Sequence, residues 1–472
     1  MNITKQSLAI CTALMLSSQS ASALDKAPTN EEMWEIIEAQ QKQLDAMKKS
    51  LEEAKGQPES IATTQEGKQA QTSAEVEELK HKTDVLSEVV EGMRTALVIP
   101  EEKEYKSSYG LGPAASKVYQ IDQGLSIGGY GEFNFQTFVD DKGPNDKNNA
   151  DFERLVLYVG YKFNDWIIFN SEIEFEHAST SASNPNGSVS VELATIDFLL
   201  DPMFNARAGM VLLPMGFINQ IHEPPFYFGN NRPEVERAII PSTWREVGFG
   251  VFGEIVPDVT YSMYGVSGLR GSKFSSSGIR SARQKGSVAL NEDMAFVGRI
   301  DYAPSALPGL TFGGSTYLGN SGQGEVDADV FTQLYEAHVE WKYRGLEFRT
   351  LGSWGHIGDA DVLSANAVAD GNGAVGSSNY GVYTEIAYDV LPLILPNTGQ
   401  YLAPFFRYEK LDTMATVADG YDDDLSKEQD IYQVGFNYKP IPQVVIKMDY
   451  RNRNTKGGSK PDEFNVGFGF IF

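Results

Sequence analysis

The chain has 472 residues, with 64 Asp and Glu against 39 Lys and Arg and a formal charge of −25, which excludes nucleic-acid binding through a basic patch. Apolar residues make up 41% and aromatic residues 11%, with 45 glycines, yet the mean hydropathy is −0.29 and the isoelectric point about 4.6. That is too polar for a helical membrane protein, and it suits a soluble β protein or a transmembrane β-barrel.

Residues 1–23 read as a secretory signal peptide. Lys5 supplies the positive start, Leu8 to Leu16 an apolar stretch too short to span a bilayer, and Ala21-Ser22-Ala23 a small-x-small cleavage site. The one cysteine, Cys11, lies inside this segment. The mature chain is then expected to have no thiol, which excludes disulfides, thiolate metal sites and cysteine nucleophiles. No cofactor and no metal site are expected.

Residues 30–97 carry a coiled-coil pattern in two segments. Met33, Ile37, Gln40, Leu44, Met47, Leu51 and Ala54 alternate spacings of four and three, and after a break containing Gly56, Pro58 and Gly67 the spacing resumes at Leu79, Thr83, Leu86, Val90, Met93 and Leu97. A seam this narrow leaves a single helix nothing to bury, so self-association is expected, with dimer against trimer left open. A linker at 98–123, containing Pro100, Gly110, Gly112 and Pro113, leads into the rest of the chain.

From residue 124 to 472 the pattern has period two. Leu125, Ile127, Phe133 and Phe135 alternate with Tyr130, Glu132, Asn134 and Gln136, and Ile167, Phe169, Ile173 and Phe175 with Asn170, Glu172, Glu174 and Glu176. Strands are predicted at 124–138, 151–163, 166–178, 189–200, 204–213, 244–255, 258–266, 293–303, 309–320, 331–344, 346–358, 379–390, 400–411, 430–440, 443–453 and 462–472. The fold class is therefore all-β: a 16-stranded antiparallel transmembrane barrel, preceded by the α-helical coiled coil, with a lumen in place of a packed core. Tight connections such as Asn164-Asp165, Asp201-Pro202, Pro257-Asp258 and Arg344-Gly345 interleave with longer loops rich in Gly, Ser, Asn and Asp. Short turns on the periplasmic side and long loops outside are the pattern of an outer-membrane barrel.

In the last segment Phe464, Val466, Phe468, Phe470 and Phe472 alternate with Asn465, Gly467, Gly469 and Ile471, so aromatic groups face lipid and small or polar ones the lumen. Tyr161, Phe163, Trp166, Tyr343 and Phe348 cluster beside short turns, where an interfacial girdle belongs. Gly128-Gly129-Tyr130-Gly131 lacks nucleotide-binding spacing and reads as lumen and curvature positions in a strand.

Three motifs resemble the phosphate-selective porin O and P superfamily of outer-membrane porins. In the first, Phe152, Arg154, Leu155 and Gly160 precede Asp165-Trp166 and Glu172-x-Glu174-Phe175. The second is Ala206-x-Ala208-Gly209 leading to Pro214-Met215-Gly216-Phe217, and the third Glu236-Arg237 followed by Trp244-Arg245 and Gly248. The resemblance implies a homotrimeric sixteen-stranded porin whose third long loop folds into the lumen as a constriction.

Read from its own residues, the stretch 214–243 fits that role. It is the longest loop and carries His222, Glu223, Arg232, Glu234, Glu236 and Arg237, and so long a charged insertion needs a surface to lie on. By strand parity the lumen wall offers Arg154, Arg207, Arg299, Arg349, Arg407, Lys447 and Arg451, opposed by Glu132, Glu172, Glu174, Glu176, Asp301, Glu336, Glu340, Glu385, Glu409 and Asp449. Opposed charges at a narrow point screen solutes by size and charge. Equally, each arginine can pair with a neighbouring glutamate and stiffen the wall.

A phosphate channel needs a continuous ladder of cations, because each anion trades hydration for several charge-assisted donors. Here the basic positions alternate with acidic ones. The acidic runs Glu325 to Asp329 and Tyr421 to Asp424 keep no calcium-loop spacing and read as solvated loop faces. No G-x-S-x-G elbow occurs and the five histidines show no H-x-x-x-H pair, so no enzyme is expected.

The expectation is an outer-membrane porin passing small hydrophilic solutes and ions, anions such as phosphate among them. It would contact outer-membrane lipid and lipopolysaccharide, assemble as a homotrimer and project its coiled coil into the periplasm. The alternative is a structural anchor whose coiled coil tethers the barrel to the cell wall.

Overall fold

The computed structural model describes residues 106–140, 143, 146–178 and 186–472. The predicted signal peptide at 1–23 and the predicted coiled coil at 30–97 lie outside these residues. The strands are β1 Gly124–Asp140, β2 Asn149–Lys162, β3 Ile167–Glu176, β4 Ser188–Asp201, β5 Phe204–Leu212, β6 Arg245–Val256, β7 Val259–Ser267 and β8 Met294–Tyr302. They continue with β9 Leu310–Asn320, β10 Phe331–Tyr343, β11 Leu346–Ile357, β12 Gly376–Tyr388, β13 Tyr401–Val417, β14 Gln429–Ile441, β15 Val444–Thr455 and β16 Asp462–Ile471. Each pairs with its chain neighbours, and β1 closes on β16 with Tyr130 opposite Ile471 and Phe133 opposite Phe468. Closure leaves no free sheet edge, which satisfies every ladder within the sheet.

Side-chain alternation follows the sequence. Leu125, Ile127, Phe135 and Phe249 stand exposed on the outer face, while Tyr130, Glu132, Asn170, Glu172 and Asn465 are buried on the inner one. Tyr161, Phe163, Trp166 and Tyr343 are exposed beside the short turns, with the Tyr161 and Phe163 rings 5.0 Å apart.

Four features differ from the sequence expectation. β13 continues past residue 411 to Val417, pairing Thr416 with Ser378 and Val417 with Gly376 of β12 through shifts of register, although the burial of residues 411–414 breaks the alternation that the sequence reading relied on. The connection between β12 and β13, left without an element between the strands predicted at 379–390 and 400–411, holds a turn of helix at Leu391–Ile394. The loop after β11 contains a helix, α1 (Ala360–Ala369), whose Leu363 and Ala367 join the interior; alanine-rich composition favours it over the irregular loop that its glycine-rich flank suggests.

The fourth concerns residues 98–123, read as a linker. Over its described part this stretch enters the barrel as a 3-10 turn at Ala115–Tyr119, with Leu111, Ala114 and Val118 buried. Gly128 and Gly160 make room for it, since a Cβ on Gly160 would sit 2.6 Å from a Val118 methyl.

The interior is also more apolar than a bare lumen. Leu213, Met215, Val235, Ile239, Ile240 and Trp244 pack against wall residues Tyr317, Leu351, Tyr383, Leu411 and Ile431. The connection between β5 and β6 carries apolar residues that can be covered only by the inner wall, and burying them fastens it there.

Candidate functional site

That connection, residues 213–244, folds into the barrel and crosses it. Met215 to Phe217 turn at Gly216, whose φ of +70 is open to glycine, and a Cβ there would lie 2.3 Å from Glu236 Oε2. The Glu236 carboxylate accepts the Phe217 and Ile218 N–H groups at 2.7 and 2.8 Å and the Tyr383 hydroxyl, so one side chain closes the loop on itself and ties it to β12. Short turns at Pro224–Phe226 and Val235–Ile239 stiffen the path.

The expected wall cations all face inward, and most act as struts. Arg299 pairs with Asp301 at 2.7 Å and donates to the Gly216 carbonyl. Arg349 pairs with Glu340 at 2.6 Å and donates to the Phe226 carbonyl at 2.9 Å. Arg407 pairs with Glu385 at 3.1 Å and Glu409 at 3.5 Å and reaches the Phe228 and Asn231 carbonyls. Arg154 lies between Glu132 and Glu174, at 2.9 and 3.4 Å. Arg207 meets Asp197 at 2.7 Å, and Arg451 meets Glu234 at 3.3 Å. Glu336 accepts from Ser315 and faces His338 at 2.6 Å, while Glu176 accepts from Ser188. Lys447 lies 3.4 Å from the Tyr227 ring centroid, a cation–π contact.

Of the loop residues, His222 faces Glu172 at 3.0 Å. Glu223 accepts the Ala114 and Ala115 N–H groups and so holds the incoming segment; burial pushes its carboxyl up to about 8 against those donors. Glu234 pairs with Arg237 and Arg451. Burial would raise its pKa, but the Arg237 hydrogen bond and the charges of Arg237, Arg451 and Arg453 hold it well below the ordinary value. Arg232 forms no ion pair among the described residues, and its Nε and Nη2 are buried without a hydrogen-bond partner.

Two cavities flank the loop and share no lining residue. One of about 610 Å³ lies toward the short turns, lined by Tyr109, Asp201, Gln220, Arg299 and Asp301 among others. The other, about 370 Å³, lies toward the long loops, where Arg154, Arg232, Arg237, Arg280, Arg451 and Arg453 face Glu132, Glu153, Glu176, Glu234 and Glu463. Sequence reasoning missed Arg280, Arg453 and Glu463. Strand parity would have placed Glu463, two residues before the inward Asn465, but Arg280 lies in the irregular loop 268–293. There it donates to the Arg237 and Ser242 carbonyls and braces the inserted loop.

No family model matches the chain. It is 37% identical over 392 residues to an uncharacterized protein of Aquifex aeolicus (strain VF5), across 80% of this chain and 87% of that one. Among solved structures, an OmpT loop L8 deletion mutant of Vibrio cholerae has 8% identity over 75% of this chain and 100% of its own, with a TM-score of 0.49. The outer membrane channel DcaP of Acinetobacter baumannii has 16% identity over 74% and 97%, with a TM-score of 0.47. An anion-selective porin from Comamonas acidovorans has 11% identity over 74% and 99%, with a TM-score of 0.46. At such values the barrel rests on its own strand pairing and not on these likenesses.

Proposed function

From a chain that belongs to one family with the Aquifex aeolicus protein and closes sixteen strands around an inserted loop, we propose an outer-membrane porin. Small hydrophilic solutes and ions diffuse between the two cavities past the constriction formed by residues 213–244. The outer apolar face meets lipid, the long loops meet lipopolysaccharide, and the chain works as a homotrimer, as its resemblance to the porin O and P superfamily implies. No catalytic step is needed.

The observation that carries this reading is the charged loop held across the barrel, with a cavity on either side, the one toward the long loops lined by charged residues. Most wall arginines are committed to carboxylates or to loop carbonyls, so they are unavailable as a phosphate ladder. Among the described residues Arg232 and Lys447 form no ion pair: the Nε and Nη2 of Arg232 are buried without a hydrogen-bond partner, and Lys447 on β15 is seated on the Tyr227 ring. They favour anions, phosphate among them, as the solutes drawn to the constriction.

Planar-bilayer recording of the purified mature protein in a salt gradient tests this. Stable conductance steps in groups of three are expected, with a reversal potential of anionic sign that shifts toward cations in Arg232→Gln. Silence from a folded, heat-modifiable barrel would refute the channel and favour an anchor working through the coiled coil.

A further inference from the structure

Glu172 on β3, Glu192 on β4 and His222 in the inserted loop bring one donor atom each to within 4.8 Å of one another. The three residues are 0%, 1% and 1% exposed. Burying two carboxylates side by side costs free energy unless a positive charge or a proton lies with them. Arg245 pairs with Glu192, but Oε2 of Glu172 and Oε2 of Glu192 have no hydrogen-bond partner.

The histidine sharpens the point. Its Nδ1 lies 3.1 Å from the Asn219 carbonyl oxygen, which can only accept, so the neutral ring carries its hydrogen on Nδ1. That leaves the Nε2 lone pair aimed at Glu172 Oε1, 3.0 Å away and itself an acceptor. Two lone pairs do not face each other at that distance without something between them. An imidazole whose far nitrogen donates to a backbone carbonyl is also the arrangement that orients histidine as a metal ligand.

We propose that Glu172, Glu192 and His222 bind a divalent first-row transition-metal ion of the zinc type, fastening the inserted loop to the β3 and β4 wall. One imidazole nitrogen with two carboxylates suits such an ion better than calcium, which takes oxygen ligands alone. Metal–ligand bonds of about 2.0–2.2 Å put tetrahedral donors roughly 3.3–3.6 Å apart, so the wider-spaced donors must close in while His222 Nε2 and Glu172 Oε1 open slightly, within the reach of side-chain torsions. Arg245 pairs with Glu192 and the Arg232 charge also bears on Glu172, so the ion would join a cage that these two arginines already partly neutralise. The sequence shows no metal spacing because each ligand comes from a different element.

The test uses untagged mature protein, stripped with chelator, re-equilibrated with zinc or cobalt and freed of loose metal by gel filtration. About one ion per chain is expected by elemental analysis, with d–d bands in the cobalt form. His222→Gln and Glu192→Gln should each lose it, while Glu325→Gln, in an exposed loop pair, should retain it. Heat-modifiable mobility reports folding of each variant. Failure of the stripped wild type to regain metal overturns the proposal and points to a proton shared by Glu172 and His222. Full retention in both folded site variants overturns it as well. Neither result depends on whether the barrel conducts.

Discussion

Glu234 shows how one loop side chain can hold two elements together. It is buried, yet Arg237, Arg451 and Arg453 keep it ionised, so its folded pKa lies below the ordinary 4.5. A depressed carboxylate contributes stability that is in place above the unfolded value and disappears as pH falls through the folded one. The attachment of the loop to β15 is therefore expected to persist from neutral pH to below pH 4.5 and to fail only in stronger acid. Protease access to residues 227–240 across an acid titration measures this. Glu234→Gln should expose the loop already at neutral pH and flatten the profile, whereas an identical profile in that variant would deny Glu234 the role.

The inserted loop has its course because the opposite wall is cut away to receive it. On β16, Gly467 and Gly469 alternate with phenylalanines that point to the outer face. A Cβ on Gly467 would lie 1.9 Å from Asn230 Oδ1, and one on Gly469 2.3 Å from Pro224 Cβ. Asn230 also donates to Asp449 at 2.8 Å through its backbone, so the contact is both close and polar. Gly467→Val is expected to push the loop off this wall and raise the single-channel conductance, with the barrel still heat-modifiable. Unchanged conductance would mean that the loop is not the narrow point. Period two shows that small residues face inward here, but which segment fills the space they leave follows only from the path of the loop.

At the scale of the whole molecule, the described barrel is complete in its own hydrogen bonding, with β1 and β16 joined and the segment before β1 packed into its interior. Removing residues 30–97 should therefore leave conductance steps of unchanged size. Their loss from a folded barrel would assign residues 30–97 a part in the channel. The sixteen strands, their inward and outward faces and the long loop were legible in the sequence, since alternation and turn chemistry are properties of a few adjacent residues. So was the inward placement of Arg154, Arg207, Arg299, Arg349, Arg407 and Arg451. Their partners were not legible. That Arg349 and Arg407 hold loop carbonyls, that Glu223 grips Ala114, and that Glu172, Glu192 and His222 meet at one point depends on strand stagger and on the loop's path across the lumen. These contacts join residues tens to hundreds of positions apart, and no local pattern records such distances.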